Sequence, residues 1–152
     1  MKITKDLIKE KYEEYNKLYF GGKLGKCVFG LLPKTQPYLG RFVHREDLKG
    51  KAYGEIKIGT CIRWTEEMFK GTLIHEMVHM YNYFVDGPIC YSIFLNGLFH
   101  HGFFFKRQCW RLKRKYGLDI PIHIKWFQDY DYIIKNIGPS KIDRFFSRLF
   151  GA

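Results

Sequence analysis

The stretch that most constrains this chain is Leu73-Ile74-His75-Glu76-Met77-Val78-His79-Met80. Leu73, Ile74, Met77, Val78 and Met80 surround the polar positions with apolar side chains, as in a helix sunk into a core. Two imidazoles and a carboxylate therefore enter apolar surroundings, where polar groups need partners. On a helix, His75 and His79 stand about 6 Å apart along the axis and share one face. Two imidazoles so placed can chelate one tetrahedral divalent ion. Glu76 points off the ligand line, toward the water such an ion would activate, which suits a general base rather than a ligand. The plain alternative is a buried helix whose histidines are satisfied core residues. His-Glu-x-x-His also arises in unrelated proteins, so a metal site needs a third donor.

Composition bounds the rest. A chain of 152 residues with 46% hydrophobic and 18% aromatic content is expected to form a single domain over 1–152, with its core at about 5–117 and a C-terminal extension, 118–152, packed on that core. No apolar run reaches the roughly 18 residues of a membrane-spanning helix. The start of the chain leads into a charged helix without the apolar region of a secretory signal, so the expected compartment is cytoplasmic. Cys27, Cys61, Cys90 and Cys109 are scattered and form no Cys-x-x-Cys pair, which speaks against a zinc ribbon or redox motif. They are expected to be reduced and simply packed. The default oligomeric state is a monomer.

Along the chain, residues 5–19 follow the helical period through Leu7, Ile8, Tyr12, Tyr15 and Leu18, with Thr4 as N-cap and Gly21-Gly22 as the stop. Strands are expected at 26–32, at 41–44 and at 53–59, the last alternating polar with apolar as a strand with one wet face does. Thr65 caps a helix over 66–83, whose Glu66 and Glu67 complement its positive end. Residues 88–100 read as an inserted hairpin or short helix. A further helix runs from His101 to Tyr116 and ends at Gly117. The tail holds a candidate strand at 120–124, a short helix at 131–137, a Gly138-Pro139 break and a last amphipathic turn through Phe145, Phe146 and Leu149. That last segment suits either docking on the core or a membrane surface.

Three stretches together resemble the SprT-like family of zinc metalloproteases, of Spartan type. Tyr15-Asn16-Lys17-Leu18-Tyr19-Phe20-Gly21-Gly22-Lys23-Leu24 resembles that family's FN-x-x-YF-x-x-x-L signature, and Gly40 followed by the 53–59 strand resembles its sheet. His75-Glu76-Met77-Val78-His79 with His101-Gly102-Phe103-Phe104-Phe105 resembles HExxH followed by HGxxF. The resemblance covers residues 12 to about 116. It implies an α+β, zincin-like minimal metalloprotease: an N-terminal helix, a small three-stranded, mainly antiparallel sheet, the HExxH helix and a following helix. It also makes His101 the third ligand of one Zn2+ ion, beside His75 and His79, with Glu76 catalytic. His100 is the alternative donor if the register shifts by one. The chain departs from the family in the length of segment 80–100, an insertion expected to reshape or cover the cleft, and in lacking the C-terminal zinc ribbon of some members.

The expected reaction is peptide-bond hydrolysis, with Glu76 moving the proton from water to the leaving amine. An extended protein or peptide substrate would lie along an edge strand, either 39–44 or 53–59. His44, His123 and the tyrosines are open candidates for stabilising the oxyanion, each equally an ordinary surface or core residue.

The net charge of +11 favours polyanionic partners. Lys106, Arg107, Arg111, Lys113, Arg114 and Lys115 concentrate six cations in ten residues without an acid, just after the third ligand. They are either a solvated helix face or a contact to DNA phosphates, in line with the family's association with proteins crosslinked to DNA. Trp110 and Tyr116 could stack on bases, though core packing is the simpler expectation. The competing reading of the whole chain is a basic DNA-binding module with a structural or degenerate zinc site. A metal-independent structural domain is the third.

Overall fold

The computed structural model describes residues 1–36, 38–60, 62–87 and 101–120. The features expected at 88–100 and 121–152 lie outside them, as do Cys61, Cys90, His100 and His123. The described residues form an α+β unit of three helices and three strands in the order α1 (Lys5–Phe20), β1 (Cys27–Leu32), β2 (Gly40–Glu46), β3 (Ala52–Gly59), α2 (Glu66–Phe84) and α3 (Phe103–Tyr116).

The helix ends follow their capping residues. Thr4 Oγ1 accepts from the Leu7 N–H at 3.2 Å and Thr65 Oγ1 from the Met68 N–H at 3.2 Å, each satisfying a first-turn donor. Gly21 and Gly117 close α1 and α3 with φ of 62° and 69°, a left-handed conformation that only glycine adopts cheaply.

The sheet order is β1-β3-β2, with β1 parallel to β3 and β2 antiparallel to it. The sheet is thus mixed rather than mainly antiparallel. The hairpin joining β2 to β3 turns tightly at Asp47, whose carboxylate accepts from the Lys49 and Lys51 N–H groups at 2.9 Å. It folds β3 back between β2 and β1, so the 33–39 link must pass across the end of β3. Gly59 allows this, because a β-carbon there would overlap the Tyr38 carbonyl oxygen. Its own N–H donates to Leu39 O at 2.8 Å.

Alternation decides which face of the sheet is covered. Gly54, Ile56 and Ile58 of β3 are buried, as is Phe42 of β2, while Tyr53, Glu55 and Lys57 face the other way. The core joins these residues to Ile8, Tyr12 and Tyr15 of α1, to Phe69, Leu73, Ile74, Met77, Val78 and Met80 of α2, and to Phe105 and Leu112 of α3. Leu118 and Ile120, past the end of α3, also pack there. Helix α2 touches α1, β2, β3 and α3, which makes it the central element. Leu73, Ile74, Met77 and Val78 are fully buried, as their apolar run requires.

Candidate metal centre

His75 and His79 project from one face of α2, and their Nε2 atoms lie 3.2 Å apart. His101 reaches the same point from the turn before α3, with its Nε2 3.0 Å from that of His75. Helix α3 therefore begins at Phe103 rather than at His101, with Gly102 as its cap. The three candidate ligand atoms all fall within 4.8 Å of one another.

Hydrogen bonding between the rings does not explain this geometry. A ring nitrogen carries either one proton or one lone pair, yet His75 Nε2 faces two other ring nitrogens at bonding distance. The rings of His79 and His101 stand at 68° and 78° to that of His75, edge to face rather than stacked. Donors about 2.0–2.1 Å from a tetrahedral ion would be about 3.3 Å apart, close to the separations seen. Three imidazoles that share one focus fit a single cation, and the three histidines are close enough to bind a metal ion.

Apolar packing supports the cluster from below. Phe105, fully buried, holds its ring 4.8, 4.5 and 4.6 Å from the rings of His75, His79 and His101. A hydrophobic backing keeps water off that side and fixes the imidazole planes.

Glu76 sits beside the cluster, only 6% exposed. Burial pushes its carboxyl up to about 8, against the pull of a hydrogen bond from the Phe42 backbone N–H. A cation beside it would favour the carboxylate and reverse that tendency. The Phe42 N–H is available because of the phase of the ladder. Leu39 and Gly59 form a hydrogen-bonded pair, so Gly40, Phe42 and His44 turn their backbone groups away from β3. Gly40 completes the enclosure: a β-carbon there would come 2.5 Å from Glu76 Oε1 and 2.9 Å from Thr72 Cγ2. Of the two strands that could line a cleft, β3 is central and paired on both sides, whereas β2 is an edge strand among the described residues and touches Glu76.

Comparison with protein-family models and with curated proteins gives no match.

A polar network sets the position of α3. Asn82 is 1% exposed; with its amide turned to suit its neighbours, it donates to Asp86 Oδ2 at 3.0 Å and accepts from the Phe105 N–H at 3.1 Å. Asp86 also accepts from Arg107 at 2.9 Å and from Gln108 at 3.2 Å. Arg111 donates to Gln108 Oε1 at 2.8 Å and to Tyr19 O at 3.1 Å. The network thus ties α2, α3 and the end of α1 together, and with them the turn that carries His101.

The basic cluster is split by this network. Arg111, half-buried, lies over the Phe20 and Tyr81 rings at 5.9 and 5.8 Å, and Arg107 pairs with Asp86, so both serve the fold. Lys106, Lys113, Arg114 and Lys115 are exposed, Lys113 with a surface contact to Asp119 at 3.3 Å. Trp110 is 61% exposed instead of packed in the core, with the Arg114 guanidinium 4.9 Å above its ring. Tyr116 lies 5.2 Å from Tyr19 at the helix end.

Among the other expected residues, His44 is exposed on β2, stacked 4.7 Å from Tyr83. Cys27 is half-buried and Cys109 buried, both as free thiols that burial pushes up to about 12. No helix among the described residues is long and apolar enough to cross a membrane.

Proposed function

We propose that the protein is a zinc-dependent endopeptidase of SprT-like type, with a zincin-like arrangement of edge strand, HExxH helix and third ligand. The observation that carries this reading is the convergence of His75, His79 and His101 on one point beside a buried carboxylate. An all-imidazole donor set with no thiolate or further carboxylate suits zinc in a site that keeps a position open for chemistry. Zinc bound there would supply Lewis acidity, acidifying water and polarising a peptide carbonyl.

The chain's own residues account for the rest. Glu76 takes the proton of the attacking water and returns it to the leaving amine, and its apolar enclosure keeps it basic enough for both roles. The Phe42 N–H and the missing side chain at Gly40 hold that carboxylate at the edge of β2. Phe105 and the Asn82–Asp86 network keep the third imidazole in register with the other two. An extended substrate would add to β2 through main-chain hydrogen bonds.

Proteins held on DNA are the substrate class toward which the exposed cations and Trp110 of α3 point, through phosphate contacts and base stacking. The same surface favours the second reading, a basic DNA-binding module whose zinc is structural. The Glu76→Gln variant separates the two. It is expected to keep its zinc and lose cleavage of an unstructured protein by a thousandfold or more, with or without DNA. Wild-type protein that binds zinc and DNA but cuts nothing supports the second reading, and undiminished cleavage by the variant contradicts the first.

A further inference from the structure

One helical turn beyond the metal ligands, α2 ends in an aromatic corner. Tyr83 follows His75 and His79 at intervals of four and Glu76 at seven, so it extends their stripe toward the end of the helix. The imidazole of His44 lies flat on it, with ring centroids 4.7 Å apart and planes 13° from parallel. Phe84 meets the Tyr83 ring edge-on at 4.9 Å, and Phe42 stands 6.3 Å from the same ring. Tyr83 is half-buried under these contacts, whereas His44 is exposed. The corner thus presents to solvent one flat ring that others hold in place.

Its position relates it to the metal centre. His44 shares a face of β2 with Gly40 and Phe42, the two residues whose backbone abuts Glu76. One turn of α2, about 5–6 Å, separates His79 from Tyr83, and an extended chain rises about 3.4 Å per residue. A polypeptide with one carbonyl at the three imidazoles, running along this stripe, would bring a side chain over His44 about two or three residues away. That reach follows from the helix stripe. It needs no hydrogen bond from the Phe42 N–H, which Glu76 already takes.

We propose that His44 and Tyr83 form a subsite for an aromatic side chain of a polypeptide substrate, about two or three residues from the bond that is cut. This deepens the peptidase reading and rests on it for the position of that bond. A flat imidazole accepts a further ring by offset stacking or edge to face, a contact that a small polar side chain cannot make. Because Tyr83, Phe84 and Phe42 already hold the platform, little ordering is left to offset the gain. A nucleobase fits less well, since base stacking works alongside phosphate contacts. Here the neighbouring Arg45 is held by Glu55 at 2.8 Å on the other face of the sheet, and Glu46 follows it along the strand.

Three labelled peptides of otherwise small, polar residues, with Phe, Leu or Ser at one central position, test the subsite. Their binding to zinc-loaded Glu76→Gln protein is measured with His44 intact, as His44→Ala and as His44→Phe, and the bonds cut by the wild type are mapped by mass spectrometry. The Phe peptide is expected to bind about tenfold tighter than the Ser peptide, with Leu between them. It is also expected to be cut at one fixed distance from the Phe. His44→Ala should bring the Phe and Ser peptides within about twofold of each other, and His44→Phe, which keeps a flat ring, should restore the order. Equal affinities with His44 intact, a preference that survives His44→Ala, or an order that His44→Phe does not restore would overturn the subsite. Cuts at scattered distances from the Phe would do the same, because the ring would then lie outside the cleft. So would loss of binding to a short DNA oligonucleotide in His44→Ala with the peptide series unchanged, since the ring would then serve a base. Phe-selective binding that depends on His44, without cleavage by the wild type, leaves the subsite standing and overturns the peptidase reading instead.

Discussion

Helices α2 and α3 both carry dense polar chemistry, and burial gives it opposite meanings. On α2, His75, Glu76 and Asn82 lie at or below 9% exposure among fully buried Leu73, Ile74, Met77 and Val78. Nothing there is solvated, so each polar group must be matched by another group or by an ion. On α3 the cations divide between two tasks. Arg107 and Arg111 are spent on the network that anchors the helix, while Lys106, Arg114 and Trp110 face outward. Charge density alone therefore does not define a binding surface, because arginines engaged with carbonyl and carboxylate partners belong to the fold.

The contrast makes graded predictions. After the loss expected of Glu76→Gln, the largest effect is expected at Gly40, where an added methyl must displace Glu76 or Thr72 inside a closed space. If the proposed peptidase reading holds, Gly40→Ala should cut that activity by on the order of a hundredfold, a cost typical of misplacing a catalytic group, while metal content holds. Activity within twofold of wild type would mean that Glu76 is not confined as described.

Next is Asp86→Ala, which leaves Asn82 and Gln108 short of an acceptor at the junction of α2 and α3. A loss of about 1–3 kcal/mol in denaturant unfolding is expected, together with weaker zinc binding. A stability loss with metal affinity unchanged would show that the network does not position His101.

Glu76→Gln has a second consequence in chelator-treated protein. A carboxyl held near 8 in the fold and near 4.3 when unfolded keeps its proton in the native state while the unfolded chain releases it. The native state binds more protons across that window, so the wild type loses stability as pH rises from about 4.3 to 8. Glutamine has no proton to lose. The variant should be more stable than the wild type at pH 8 and indistinguishable at pH 4. Parallel stability profiles for the two proteins would remove burial as the cause.

The smallest effect is expected on the outward side of α3. Lys106→Ala with Arg114→Ala should change stability by no more than about 0.5 kcal/mol, while Arg111→Ala costs about 1 kcal/mol or more. If DNA binds there, the double variant should lower the salt dependence of binding by about one phosphate contact per cation removed.

Much of this was legible in the sequence where a pattern repeats locally. Thr4, Gly21, Thr65 and Gly117 announce helix ends, and the alternation of 53–59 gives the wet and dry faces of β3. The spacing of His75 and His79 placed two rings on one face, and the His-Gly pair pointed to the third. What stayed hidden depends on pairing between distant segments. The parallel β1–β3 pairing follows from where the hairpin folds back, and no local pattern records it. The bond from the Phe42 N–H to Glu76 depends on which residues of β2 face away from β3, which is the phase of a ladder. A signal for the Asn82–Asp86 network was present: His75, His79, Asn82 and Asp86 recur at intervals of four, three and four, one stripe of a helix. Trp110 runs against the simplest expectation because the core-facing side of α3 is already filled by Phe105, Gln108, Cys109 and Leu112.

Metal analysis of the protein as purified, beside a His101→Ala variant, bears most directly on the shared focus of the three imidazoles. One zinc per chain is expected in the wild type, falling at least tenfold in affinity once the third donor is gone. A wild type without stoichiometric metal, or a variant that holds zinc as tightly, would contradict a three-histidine centre.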